Sequence, residues 1–181
     1  MSIASPAEII NFWRDAGHER WYKVDSGFDR EIRERFLNAH EAAAAGEMPG
    51  WDQSAEGALA LLILLDQFPR NMFRGTPRAF STDASALQIA DGAIERGFDK
   101  KVDPKMRSFF YLPFMHSEKL ADQERCLALY REYDDGEGIK YAELHLDPIR
   151  RFGRFPHRNK ILGRTSTPEE IAFLESGGFG G

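Results

Sequence analysis

Two short segments concentrate the side chains that do chemistry. Phe68-Pro69-Arg70-Asn71 and Phe155-Pro156-His157-Arg158-Asn159 share a Phe-Pro step, an arginine and an asparagine. Each runs on to a glycine with arginine and threonine beside it: Arg74-Gly75-Thr76 in the first, Gly163-Arg164-Thr165 in the second. Proline fixes the backbone and so aims the side chains that follow it. Arginine presents a planar fork of donors suited to carboxylate or phosphate, and asparagine both donates and accepts. Read for function, Arg70, Asn71, His145, Arg151, Arg154, Arg158 and Asn159 are the ligand-binding residues of a shared anion pocket. Read for structure alone, each segment is a loop in which arginine meets helix C-terminal carbonyls and asparagine closes a turn. Both readings stay open at this stage. If Arg158 is an exposed clamp, Arg158→Ala removes anion binding and leaves stability within about 1 kcal/mol, as surface changes do.

The acid–base candidates are His116 and His157, with Asp66 or Glu118 to orient them. Asp66 directly follows eight apolar residues, so its carboxylate needs a cationic partner, and Arg70 and Arg74 are nearest in sequence. His116 precedes Ser117, a natural N-cap, and Glu118. Three histidines and a glutamate are metal-ligand types, but HExxH spacing and i,i+4 histidine pairs are both lacking, so neither a metal nor another cofactor is expected. GxSxG, Walker and strand-linked GxGxxG patterns are lacking too. Cys126, the only cysteine, falls on a buried helix face and makes a poor nucleophile. His18 and His40 read as surface residues, and Trp13, Trp21 and Trp51 as core and loop packing.

The elements that must position these residues are helices. Ser5-Pro6-Ala7-Glu8 and Thr167-Pro168-Glu169-Glu170 are capping boxes with proline at the first helical position. Helices are predicted from Ser5 to Gly17, 26 to 46, 54 to 67 and 81 to 96. Others run from 103 to 112 with an interruption at Pro113, from 117 to 134, from 139 to 152 with a kink at Pro148, and from 167 to 175. Ala58 to Leu65 is apolar on all sides, which marks a central helix. Gly136-Glu137-Gly138 reads as a linker. The expectation is an all-α protein of about eight helices in antiparallel pairs, a TPR-like right-handed array. It is read as a single helical domain over 1–181 with a flexible Gly-rich tail at 176–181, which Phe179 could dock.

Charge narrows the partners. The 181 residues carry a net −5, yet residues 145–164 hold six bases against Asp147 alone. The acidic remainder disfavours nucleic acid, while a local anion site fits the basic stretch. The longest apolar run is far shorter than the roughly 20 residues of a membrane span, and the N-terminus lacks signal-peptide features. A cytoplasmic protein without a membrane partner is therefore expected.

Three long segments together resemble the signatures of a known family: Leu64 to Asn71, Tyr111 to Glu118, and Arg151 to Asn159. Trp21, Phe28-Asp29, Arg33, Phe36, Ala79-Phe80, Asp83 and Leu162 to Thr167 also fit its pattern. The chain is similar to bacterial domain-of-unknown-function family 924 over nearly its whole length. The resemblance implies an all-helical, TPR-like fold and no established reaction, substrate or cofactor. Pro148 departs from the family pattern. The polar content of the motifs leads to a binder of a small phosphorylated or carboxylated metabolite, with hydrolysis as its extension. The alternative is a TPR-like interaction module for an acidic peptide.

Overall fold

Every residue from Ala58 to Leu65 is at most 5% exposed, and this run is the spine around which the N-terminal part of the molecule packs. The structure, a computed structural model, describes residues 3–133 and 135–180. Their regular secondary structure is helical, with no strand among the described residues. Where the sequence reads as one domain, its contacts group into two compact units, one reaching to Pro113 and the other beginning at Phe114. Among the described residues no helix is long and apolar enough to cross a membrane.

In the first unit, α1 (Pro6–Ala16) opens with the predicted capping box: Glu8 N–H donates to Ser5 Oγ (3.4 Å) and Ser5 N–H to Glu8 Oε2 (2.7 Å). A short α2 (His18–Trp21), which periodicity does not reveal, leads into α3 (Ser26–Ala44), capped by Asp25. The buried run begins as α4 (Ala55–Leu62), which packs on α1 and on α6 (Asp83–Glu95). Phe12, Trp13, Phe28, Phe36 and Phe68 interlock by stacked, tilted and edge-on ring contacts.

The predicted loop at Phe68 to Asn71 is instead helical. Ile63–Gln67 forms a π-helical turn, and α5 (Phe68–Met72) continues from it. Pro69 explains the turn. It has no N–H, and its ring clashes with the carbonyl four residues back, that of Leu65. The widened turn sends the Phe68 N–H to Ile63 O instead. The Leu64 and Leu65 carbonyls, each within reach of position 69 by helical spacing, are met by side chains: His40 Nδ1–H donates to Leu64 O (2.9 Å) and Thr82 Oγ1–H to Leu65 O (2.6 Å). His40 is thus 2% exposed rather than on the surface. Burial lowers its pKa, in keeping with a neutral ring that donates through Nδ1.

A 3₁₀ stretch at Pro104–Phe110 precedes α7 (Leu112–Met115), so Pro113 lies inside the first turn of a helix rather than breaking one. In the second unit α8 (Leu120–Glu132) pairs with α9 (Gly136–Phe152), and α10 (Pro168–Glu175) lies against the turn Pro156–Arg158. Ser117 is not the N-cap of α8. It sits two residues earlier, donating to Asp122 Oδ2 (2.6 Å) and accepting the Lys119 N–H. The expected linker at Gly136 to Gly138 is the first turn of α9, because Asp135 caps it through the Gly138 N–H (3.0 Å). Pro148 is buried within α9.

One glycine is required by close approach. The Gly57 Cα faces the Trp51 backbone so closely that a Cβ would overlap the Trp51 carbonyl. Gly57→Ala is expected to lower stability by about 1–3 kcal/mol through overpacking against backbone that cannot yield. The check is a fall in the urea midpoint at unchanged m-value; an unaltered midpoint would show that the 51–53 turn moves aside.

Candidate functional site

The first Phe-Pro segment is tied up by carboxylates of its own unit. Arg70 forks onto Asp83 through two bonds (2.9 and 3.0 Å), donates to Asp66 O (2.6 Å), and lies 3.4 Å from the Asp66 carboxylate. Asp66, 1% exposed, also receives Gln67 Nε2–H. Asn71 Nδ2–H and both arms of Arg74 converge on Asp29 (2.8 to 3.0 Å). Arg70 and Asn71, expected as ligand contacts, therefore complete internal pairs. Asp66, expected to orient a histidine, serves instead as a partner of Arg70 and Gln67. The pairing satisfies charges that would otherwise be buried alone.

The second segment is held by a network spanning three connections. Glu118 accepts the Phe155 N–H (2.8 Å) on one oxygen and takes a two-armed ion pair from Arg164 (2.7 and 2.9 Å). Burial opposes the charge of Glu118, but Arg164 and the Phe155 amide hold its pKa below the usual range. Arg164 also donates to Phe155 O (3.1 Å) and Asn159 Oδ1 (2.9 Å). Asn159 Nδ2–H reaches Ser166 and Glu170 (3.1 Å each). Arg154 forks onto Glu170 (2.6 and 2.8 Å), which keeps that carboxyl well below its ordinary pKa and completes the α10 capping box through the Thr167 N–H (2.8 Å). Arg154 and Asn159 are thus committed to fixing the loop, and Glu118 clamps Phe155 rather than orienting a histidine. Arg151 is exposed, near Asp147 (3.4 Å) and over the Phe152 and Phe173 rings. Arg158 is buried at 7% exposure, its guanidinium 4.5 Å from the Phe155 ring centroid, so its replacement is not a surface change.

What this network positions is a group of rings. His116 and His145 lie with centroids 6.3 Å apart, and Phe155 stands 5.9 Å from His145 and 5.5 Å from His157. The C-terminal tail closes over them: Phe179 lies 4.1 Å from His145 and 5.2 Å from His157. Residues 176–180, expected to be flexible, are docked through that ring. His145 Nδ1 faces Tyr141 O (2.8 Å); a carbonyl only accepts, so Nδ1 carries the proton and Nε2 keeps its lone pair. Burial, then the adjacent His116, pulls the His145 pKa from 6.5 down to about 3. Burial, then Arg158, lowers His157 to about 4, with Glu118 acting in the opposite sense. The His157 Nδ1 atom is buried and neither donates nor accepts a hydrogen bond within the protein. Among the described residues no three His, Cys, Asp or Glu side chains are placed to hold a metal ion. Cys126 is buried, and its thiol is pushed up by that burial.

His116, His145, His157 and Arg158 are therefore the sequence-selected residues that the second unit gathers in one place. Phe155 and Phe179 are the members that residue chemistry alone misses. The only prior signal was an aromatic residue isolated in a Gly-rich tail.

Residues 9–178 match the model of a family described as bacterial protein of unknown function (DUF924). Among solved structures, the protein of unknown function ATU0120 from Agrobacterium tumefaciens is 49% identical, with a TM-score of 0.91 covering 94% of this chain and 97% of that one. No curated protein matches the chain.

The depressed histidines give the fold a pH signature. Their folded pKa values, about 3 and about 4, lie below the ordinary 6.5, so between those values the unfolded chain binds more protons. Their contribution to stability is present above pH 6.5 and is lost as pH falls through the folded values. The melting temperature is expected to drop between pH 6.5 and 4, and the drop should be shallower in a His145→Gln/His157→Gln variant. His40, lowered by its own burial, acts alike in both proteins. Equal slopes would show that neither ring is held neutral by the fold.

Proposed function

The chain belongs to the bacterial DUF924 family, and we propose that its C-terminal unit binds a small anionic metabolite, through a phosphate or carboxylate group, at the three histidines. The observation that carries the reading is His157 Nδ1, buried without a hydrogen-bond partner beside the Phe155 and Phe179 rings. A buried polar atom left unsatisfied costs about 1–3 kcal/mol, and a ligand oxygen would remove that cost. The charges bearing on His157 favour an anion: Arg158 and Arg164 against Glu118 alone. His157, as a neutral imidazole protonated on Nδ1, can donate to such an oxygen without bringing a charge that must itself be buried, whereas His145, its N–H already given to Tyr141 O, supplies ring surface. Hydrolysis is the narrower extension and has less support, since a ring titrating near 4 is a weak base at neutral pH.

Sulfate, which keeps its charge throughout the relevant pH range, is a direct probe. A bound anion favours the charged imidazole, so binding should raise the pKa of His157 from about 4 and take up a proton. Sulfate affinity, followed by histidine side-chain NMR, should be tighter at pH 5 than at pH 7 by on the order of tenfold. His157→Gln should bind several-fold more weakly with a reduced pH dependence. His157 is the residue to change because Arg158→Ala would also open the packing on Phe155. Equal sulfate binding in wild type and variant, or no saturable binding at either pH, would overturn the reading.

A further inference from the structure

We infer that the ligand of this site is a flat aromatic ring bearing the anionic group, an aryl phosphate or aryl carboxylate, and that Phe179 occupies the ring's seat in this structure. The anionic half of this inference rests on the function proposed above; the aromatic half rests on the seat itself. Phe179 is set among three other rings, with His145 at 4.1 Å and 47°, His157 at 5.2 Å and 81°, and Phe155 at 6.1 Å and 58°. The His157 and Phe155 separations fall in the range at which aromatic pairs attract, and His145 stands closer still. Phe155, fully buried, forms a fixed wall, since Glu118 and Arg164 hold both its amide and its carbonyl. The seat is thus built to receive a ring, and the ring now in it is only half-buried.

The segment that delivers Phe179 is suited to withdrawal. Gly177, at φ +83°, turns the chain out of α10, and the Gly178 N–H is anchored to Phe173 O (2.9 Å). Past that anchor Phe179 is flanked by Gly178 and Gly180, so ordering it forfeits much conformational freedom. An open groove of about 330 Å³, bordered by Leu144, Asp147, Phe173 and Phe179, gives a displaced ring adjacent apolar surface to cover. A competing aryl anion would match the ring contacts and add the hydrogen bond that His157 Nδ1 lacks.

The test titrates phenyl phosphate, inorganic phosphate and benzyl alcohol into the full-length wild type and Phe179→Ala, read by calorimetry and by histidine NMR. Removal of the competing ring should tighten phenyl phosphate at least tenfold, since apparent affinity scales with the fraction of open seat. Inorganic phosphate should change less than twofold, and the His145 ring protons should shift as the Phe179 ring current is lost. If phenyl phosphate binds no tighter than phosphate in Phe179→Ala, the aromatic seat falls while the anion site stands. If benzyl alcohol matches phenyl phosphate, the seat stands, the anion reading falls, and the aryl-anion assignment falls with it. If no probe binds either protein, both fall. Should the alanine variant fail to fold, Phe179→Leu removes the ring, keeps apolar bulk and carries the same comparison.

Discussion

A Phe-Pro step removes an N–H from backbone that this protein then buries, and the side chains that make good the loss fix much of the rest. A buried carbonyl or amide without a partner costs as much as a lost hydrogen bond, so it must be met from somewhere. At Pro69 the chain widens into a π-helical turn and draws in His40 from α3 and Thr82 from the start of α6. At Pro156 the amide and carbonyl of the preceding Phe155 are claimed by Glu118 and Arg164. The two motifs look alike in sequence but meet different backbone needs, released carbonyls ahead of Pro69 in one and the amide and carbonyl of Phe155 in the other, each within its own unit.

The charged residues of the motifs follow from that logic. Arginine suits them because one guanidinium can satisfy a carboxylate with two donors and reach a carbonyl with another, as Arg70, Arg154 and Arg164 each do. Exposed ion pairs contribute little, but these lie among half-buried groups, with Glu170 and Asp66 buried, and fix the loops they join. A polar motif is therefore not by itself a binding motif. Here most of its charge holds the scaffold, and the imidazoles and Phe179 are the residues left over from that task.

That division explains why the candidate site is poor in charge and rich in rings. The Arg158 guanidinium sits 4.5 Å from the Phe155 ring centroid, and burial, then its field, favours the neutral form of His157. His145 stays neutral through burial and the nearby His116. Neutral imidazoles pack tilted or edge-on against phenyl rings without the desolvation cost of a buried cation, which suits the place where Phe179 sits.

The sequence by itself determined what depends on neighbours along the chain. Apolar residues at three- and four-residue spacing placed the helices, Ser5/Glu8 and Thr167/Glu170 capped two of them, and Ala58 to Leu65 had to be central because no face of it is polar. It also singled out both motifs, the three histidines and the need of Asp66 for an arginine. It misread Phe68 to Asn71 as a loop, since a proline that normally ends a helix is tolerated where distant side chains take up the released carbonyls. Only the tertiary structure decided which carboxylate each arginine meets: Arg164 finds Glu118 across 46 residues, and Asn71 finds Asp29 across 42. Only it decided that Phe179 covers His145. Such pairings are set by how helices pack, a long-range outcome that no local spacing encodes.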